Sequence, residues 1–135
     1  MAGRRELPLS PDDTQYLDNA FPGKWESITE GYVLIHGFPL PAGYTMDAVT
    51  AAIQIPCNYP AVPLDMVYFS PAALRGDEKV IPATDATQVI DGQVFQRWSR
   101  HYTSGTWIPD ESNLATHVMA IKDWLDRALE SQVPA

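Results

Sequence analysis

Residues 95–107 read Phe95-Gln96-Arg97-Trp98-Ser99-Arg100-His101-Tyr102-Thr103-Ser104-Gly105-Thr106-Trp107, and the reading of this run decides what the rest of the chain can be. Tryptophan buries most of its surface in folded proteins. Trp98 and Trp107 should therefore pin the run to a core while the polar residues between them project into a groove. Ser99, between Trp98 and Arg100, is a candidate hydroxyl nucleophile. Serine needs a neighbouring base to react near neutral pH. In an extended segment residues two apart share a face, which puts His101 beside Ser99. Taken alone, the run reads first as a surface loop with a serine and a basic rim; the remainder of the chain has to decide.

On the N-terminal side, Ala72 to Asp91 shows little periodicity, contains Gly76 and Pro82, and is long for a loop inside a small domain. Loops of that length are more often functional than accidental. Before it come four runs rich in β-branched and aromatic residues: 25–28, 32–38, 50–55 and 64–69. Glu30-Gly31 makes a tight turn between the first two, Pro56 ends the third because proline has no ladder donor, and short links predict an antiparallel meander. Ser10-Pro11-Asp12-Asp13 is a helix start with a capping serine, proline at the first position and acids over the positive end of the dipole. Tyr16, Leu17, Ala20 and Phe21 form its apolar face, and Pro22-Gly23 stops it.

On the C-terminal side, residues 109–112 offer capping and acidic groups, followed by Leu114, Val118, Ile121, Leu125 and Leu129 on one stripe. This predicts a second amphipathic helix long enough to lie across the sheet, with His117 as a packed or half-exposed helical residue. The fold class is α+β in a single domain, 1–135, with 1–9 and 131–135 as flexible tails.

Composition narrows the function classes. A chain of 135 residues fits one core. A net charge of −8 argues against a general nucleic-acid binder, which must neutralise phosphates with Lys and Arg. No apolar run approaches the ~20 residues of a membrane helix, and Pro8 and Pro11 stand where a signal peptide needs an apolar block, so the expected location is the cytoplasm. Cys57 is the only cysteine and the three histidines are scattered, so neither a disulfide nor a structural metal is expected. No bound cofactor is expected.

The order helix, four-stranded meander, long segment, tryptophan-bounded run and helix resembles the ubiquitin-conjugating (UBC-like) fold. Particular residues carry the likeness: Ile55-Pro56-Cys57-Asn58-Tyr59-Pro60 to Pro63, leading to Met66-Val67-Tyr68-Phe69, is similar to the family's Tyr-Pro turn and following strand. Trp107-Ile108-Pro109 is similar to its Trp-x-Pro before the next helix. Counting back from Trp107 by the family's spacing reaches Ser99. The run Gln96-Arg97-Trp98-Ser99-Arg100-His101 resembles, more narrowly, a bacterial branch of the prokaryotic family E type. Two features depart from the pattern: serine replaces the reactive cysteine, and the preceding His-Pro-Asn is absent.

The resemblance implies an acyl carrier that takes the C-terminus of a ubiquitin-like modifier from an adenylating activating enzyme, which uses the ATP, with a JAB-type peptidase in the same pathway. Ser99 would carry an oxyester, His101 would be general base, and Arg97 or Arg100, with main-chain amides, would stabilise the oxyanion. Arg97 and Arg100 read equally as a basic docking patch. Trp98 and Trp107 read as core anchors, and Tyr59 and Pro60 as architecture. Cys57 is the rival nucleophile, or a small buried hydrophobe. An inactive adaptor that binds the modifier or the activating enzyme is the alternative function. Asp65 and His36 need no more than a satisfied hydrogen bond.

Overall fold

A computed structural model describes residues 7–100, 102, 107–108 and 111–130. Leu7 and Leu9 pack against the main core before helix α1 (Pro11–Ala20) begins. Ser10 caps α1 as expected. Its hydroxyl accepts from the Asp13 amide at 3.1 Å, and the Asp13 carboxylate accepts from the Ser10 amide at 3.1 Å, a reciprocal capping box. Leu17 and Phe21 face the core, whereas Ala20 is exposed.

Strands β1 (Trp25–Ser27), β2 (Tyr32–Pro39), β3 (Ala48–Gln54) and β4 (Val67–Ser70) follow, each antiparallel to the next, so the expected meander is present. The fourth strand starts later than predicted. Met66 has φ 56°, a left-handed conformation that interrupts a ladder.

The predicted count of four strands is too small. Strands β5 (Ala86–Ile90) and β6 (Gln93–Trp98) form a hairpin that extends the sheet to the order β1-β2-β3-β4-β6-β5. The irregular stretch expected over 72–91 thus ends in a strand, and the run expected to begin a groove segment at Phe95 begins inside the sheet. The turn is Asp91-Gly92, both with positive φ (52° and 77°), as a two-residue hairpin connection requires.

Helix α2 (Leu114–Glu130) buries Leu114, Val118, Ile121 and Leu125 as predicted, with His117 and Ala128. Its start lies one residue beyond the expected 109–112: the Asn113 side chain accepts from the Thr116 amide at 3.1 Å, and the Thr116 hydroxyl accepts from the Asn113 amide at 2.8 Å.

Both helices cover one face of the sheet. Leu17 and Phe21 of the first and Leu114 to Ala128 of the second pack on Val33, Ile35, Phe38, Ala51, Ile53, Val67, Phe69 and Trp98. The opposite face carries a smaller cluster of Ile28, Tyr32, Leu34, Ala52, Tyr68, Ile90 and Phe95. Curvature closes it. Although β1 and β5 are opposite ends of the strand order, Ile28 and Ile90 share this cluster and the Asp91 amide donates to Glu30 Oε1 at 2.7 Å.

Candidate functional site

Trp98, the last residue of β6, is fully buried and packs edge-on against Phe69 at 5.4 Å between ring centres. Its indole N–H donates to Gln96 Oε1 at 2.8 Å, and the same oxygen accepts from the Ala73 amide at 2.9 Å. Trp98 is thus the expected anchor. Ser99, immediately after it, is half-buried, and its amide donates to the Ala83 carbonyl at 3.0 Å. Residue 99 is tied on that side to the end of the 72–85 segment. One position on, the Arg100 carbonyl accepts from the Met66 amide at 3.0 Å. The backbone at the candidate nucleophile is clamped between two segments.

The arginines are less free than their sequence suggests. Arg100 Nη1 donates to the carbonyls of Pro82 and Ser99, each at 3.1 Å, and the guanidinium lies 4.9 Å from the Trp98 ring centre. Burial pulls its pKa below the ordinary arginine value. Arg97 pairs across the sheet with Tyr68 and Ala86, on the strand face opposite Trp98. Its Nε is buried without a hydrogen-bond partner among the described residues. These two arginines therefore do not form one patch beside Ser99.

His101 lies outside the described residues. The two described histidines are committed elsewhere. His36 sits on the open sheet face with Nε2 2.8 Å from Glu26 Oε2 and Nδ1 3.2 Å from Thr50 Oγ1, the satisfied bonds expected of it. His117 is fully buried; its Nε2 donates to the Met66 carbonyl at 2.9 Å, and its Nδ1 accepts from the Tyr102 hydroxyl at 2.5 Å. Desolvation pulls the His117 pKa down to about 4, against the smaller opposing effects of the Met66 carbonyl and Asp65. A neutral ring with a fixed tautomer holds Tyr102 in place.

Around Tyr102 an aromatic cluster forms with Trp107 and Trp124, at 5.3 and 6.2 Å between ring centres. Trp107 is half-buried, packs against the core, and donates from its indole N–H to the Pro60 carbonyl at 2.9 Å. Both tryptophans of the run are therefore anchors. Pro60 and Tyr59 are architectural: the buried Tyr59 hydroxyl donates to Asp13 Oδ2 at 2.9 Å, and desolvation, with Asp13, pushes the phenol well above its ordinary value. Cys57, in the same turn region, is exposed. That overturns its reading as a buried hydrophobe and leaves its nucleophilic reading standing.

A groove of about 450 Å³ runs beside this region, lined mainly by Leu74, Val80, Ile81, Thr84, Asp85 and Gln96. Ser99 does not line it. The groove flanks the Pro82-Ala83 step that holds residues 99 and 100. Among the described residues no group of histidine, cysteine and carboxylate side chains is arranged to hold a metal, and no helix is long and apolar enough to cross a membrane.

Sequence reasoning missed the residues that build this clamp. Gln96, Met66 and Tyr102 carry no local motif for these roles, because Ala73, Arg100 and His117 are distant from them in sequence, and the capping role of Asp13 was legible but its bonds to Tyr59 and Leu114 were not. Asp-Gly at 91–92 was the one available signal that a strand pair precedes Ser99.

A family model described as prokaryotic E2 family E matches residues 9–128, which takes in the sheet, the whole of α1 and most of α2. No curated protein and no solved structure matches the chain.

Proposed function

The chain belongs to prokaryotic E2 family E, which gives it a ubiquitin-conjugating-like role in general, and on that premise we propose that it is an acyl carrier for a ubiquitin-like modifier with Ser99 as the acceptor. The observation that carries this reading is the half-buried Ser99 directly after the fully buried Trp98, its backbone tied to Ala83 on one side and, through Arg100, to Met66 on the other. A nucleophile held on a rigid element meets the positioning requirement of acyl transfer.

In the proposed first step Ser99 Oγ attacks the modifier's C-terminal carbonyl carbon while the activating enzyme holds it as an activated acyl group formed with ATP. A C–O bond forms, the bond to the enzyme's leaving group breaks, and the Ser99 proton passes to His101 and on to the leaving group. In the second step an amine attacks, C–N forms, C–O breaks, and Ser99 recovers its proton. Oxyanion stabilisation would fall to Arg100 through guanidinium N–H groups not already bound, or to Arg97. The Ser99 amide, bonded to Ala83, does not serve. A JAB-type peptidase would work in the same pathway.

One observation favours a second reading, the adaptor. Arg100 is folded onto main-chain carbonyls and the Trp98 ring, and both described histidines have their nitrogens occupied, which suits a binding surface better than an active site.

Incubation with modifier, activating enzyme and ATP separates the two. The carrier gives a covalent adduct that survives thiol reductant, is cleaved by hydroxylamine, and is lost in Ser99→Ala but not in Cys57→Ala. Absence of any adduct, with retained binding, leaves the adaptor. A reductant-sensitive adduct assigns the acyl group to Cys57.

A further inference from the structure

We propose that the free edge of β5 is a docking site for an extended, cationic segment of a partner protein, which adds to the sheet as a seventh strand. This does not rest on acyl transfer at Ser99 and would hold for the carrier and the adaptor alike.

Strand β5 ends the strand order and pairs, among the described residues, only with β6. In a two-residue hairpin the residues flanking the turn form a hydrogen-bonded pair, here Ile90 and Gln93. Alternation then turns Gln88 and Ala86 inward and leaves the N–H and C=O of Thr87 and Val89 directed outward. Thr87, Gln88 and Val89 are all exposed. Natural edges are usually guarded by lysine, proline or an inward-pointing charge, and Ala86-Thr87-Gln88-Val89-Ile90 contains none of these. On the face shared with Gln96, Val89 pairs with Val94, and these valines are 61% and 62% exposed. The same face continues into the apolar groove bounded by Leu74 and Val80.

Charge decides what pairs there. Asp85 and Asp91, both exposed, flank β5 symmetrically about Gln88. A second copy adding antiparallel in the register that satisfies Thr87 and Val89 would align Asp85 with Asp91 of its partner at both ends. Like charges directly opposite destabilise a ladder, and Glu30, bonded to the Asp91 amide, adds a further carboxylate at one end. The edge repels its own copy. A strand with lysine or arginine opposite Asp91 and again opposite Asp85, six positions on, and an aliphatic residue opposite Val89, satisfies main chain, valines and carboxylates together.

The test uses the full chain, isotopically labelled for amide detection, and a seven-residue peptide with lysine first and seventh, valine third and threonine fifth. The expected result is saturable shifts and slowed hydrogen exchange at the Thr87 and Val89 amides, with Gln88, already paired to β6, slowed far less. A peptide with glutamate in place of lysine should not bind, and Asp85→Lys should weaken the lysine peptide about fivefold. The same substitution converts the repelling pairs of the self-complex into Lys–Asp pairs, so Asp85→Lys is expected to dimerise through β5 where the natural chain does not. No response at β5 to millimolar peptide, equal binding of the glutamate peptide, or a natural-chain dimer with protected Thr87 and Val89 amides would each overturn the proposal.

Discussion

The Tyr102 hydroxyl donates to Nδ1 of the fully buried His117 at 2.5 Å, and this single bond joins the segment that follows Ser99 to helix α2. Desolvation at this buried position holds the imidazole neutral, with a pKa of about 4 against about 6.5 in the unfolded chain, and outweighs the opposing effects of the Met66 carbonyl, which accepts from Nε2, and of Asp65. The unfolded state therefore takes up a proton first as pH falls. The stability tied to the neutral ring is whole above pH ~7, is lost progressively as pH drops toward 4, and changes no further below. Urea unfolding at pH 7 and pH 4.5 should show the natural protein losing roughly 2–3 kcal/mol more than His117→Gln, whose side chain does not titrate. Equal losses would mean that the ring ionises as it does in water.

Gln96 is buried although its side chain is polar. Its Oε1 takes both the Ala73 amide and the Trp98 indole, so one side chain joins β6 to the segment after β4 and orients the tryptophan before Ser99. Gln96→Leu would fill similar space and leave two buried donors unsatisfied. The expected loss is about 2–4 kcal/mol in chemical denaturation, since each orphaned group costs about 1–3 kcal/mol. Gln96→Glu, which keeps an acceptor, should lose less at pH 7 than the leucine variant.

Asp13 has a wider reach than a helix cap. Its carboxylate accepts from Ser10, from the Tyr59 hydroxyl at 2.9 Å and from the Leu114 amide at 3.3 Å, so the first turns of both helices and the Tyr59-Pro60 turn meet at one buried group. Tyr59→Phe removes one of these bonds and should cost about 1–2 kcal/mol. Asp13→Ala removes all of them and leaves buried donors behind, with an expected loss of about 3–5 kcal/mol. If the two variants unfold at the same urea concentration, the Leu114 and Ser10 bonds contribute little.

What could be read in advance followed the range of the interactions involved. Helix α1 was legible because Ser10, Pro11 and the acids act within one turn, and the buried stripe of α2 because its period is local. The first four strands showed as apolar runs. The β5–β6 hairpin did not, because Gln88, Gln93, Gln96 and Arg97 dilute its hydrophobicity. Gln96 is acceptable in the interior only because the Ala73 amide, 23 positions away in sequence, arrives to meet it. At the candidate site, Trp98 and Trp107 were correctly expected to anchor. Strand alternation places Arg97 on the face opposite Trp98, whereas the Arg100 guanidinium lies over the Trp98 ring, a separation that the sequence did not announce. Tyr102 with His117, and Met66 with its left-handed backbone, are consequences of how α2 crosses the sheet, and nothing near them in sequence announces that.

Arg75 closes the far end of α2. It is buried, and its Nη1 donates at 2.7 Å to the Ala128 carbonyl, one of the last four that have no partner within the helix, while the Tyr44 hydroxyl donates to the Leu125 carbonyl one turn earlier at 2.6 Å. A cation there also opposes the negative end of the helix dipole. Arg75→Ala should cost about 2–3 kcal/mol, and Tyr44→Phe about 1 kcal/mol. Arg75→Lys should recover only part of the loss, because a point charge cannot reach Ala128 and hold both Asp77 oxygens as the guanidinium does, at 3.0 Å through Nε and 2.7 Å through Nη2. Asp77 is exposed, and Asp77→Asn should leave the unfolding midpoint almost where it was. Amide exchange at the last turn of α2 is the discriminating readout: Arg75→Ala should accelerate it ahead of the rest of the helix, whereas uniform acceleration along α2 would show that Arg75 acts through the core and not as a cap.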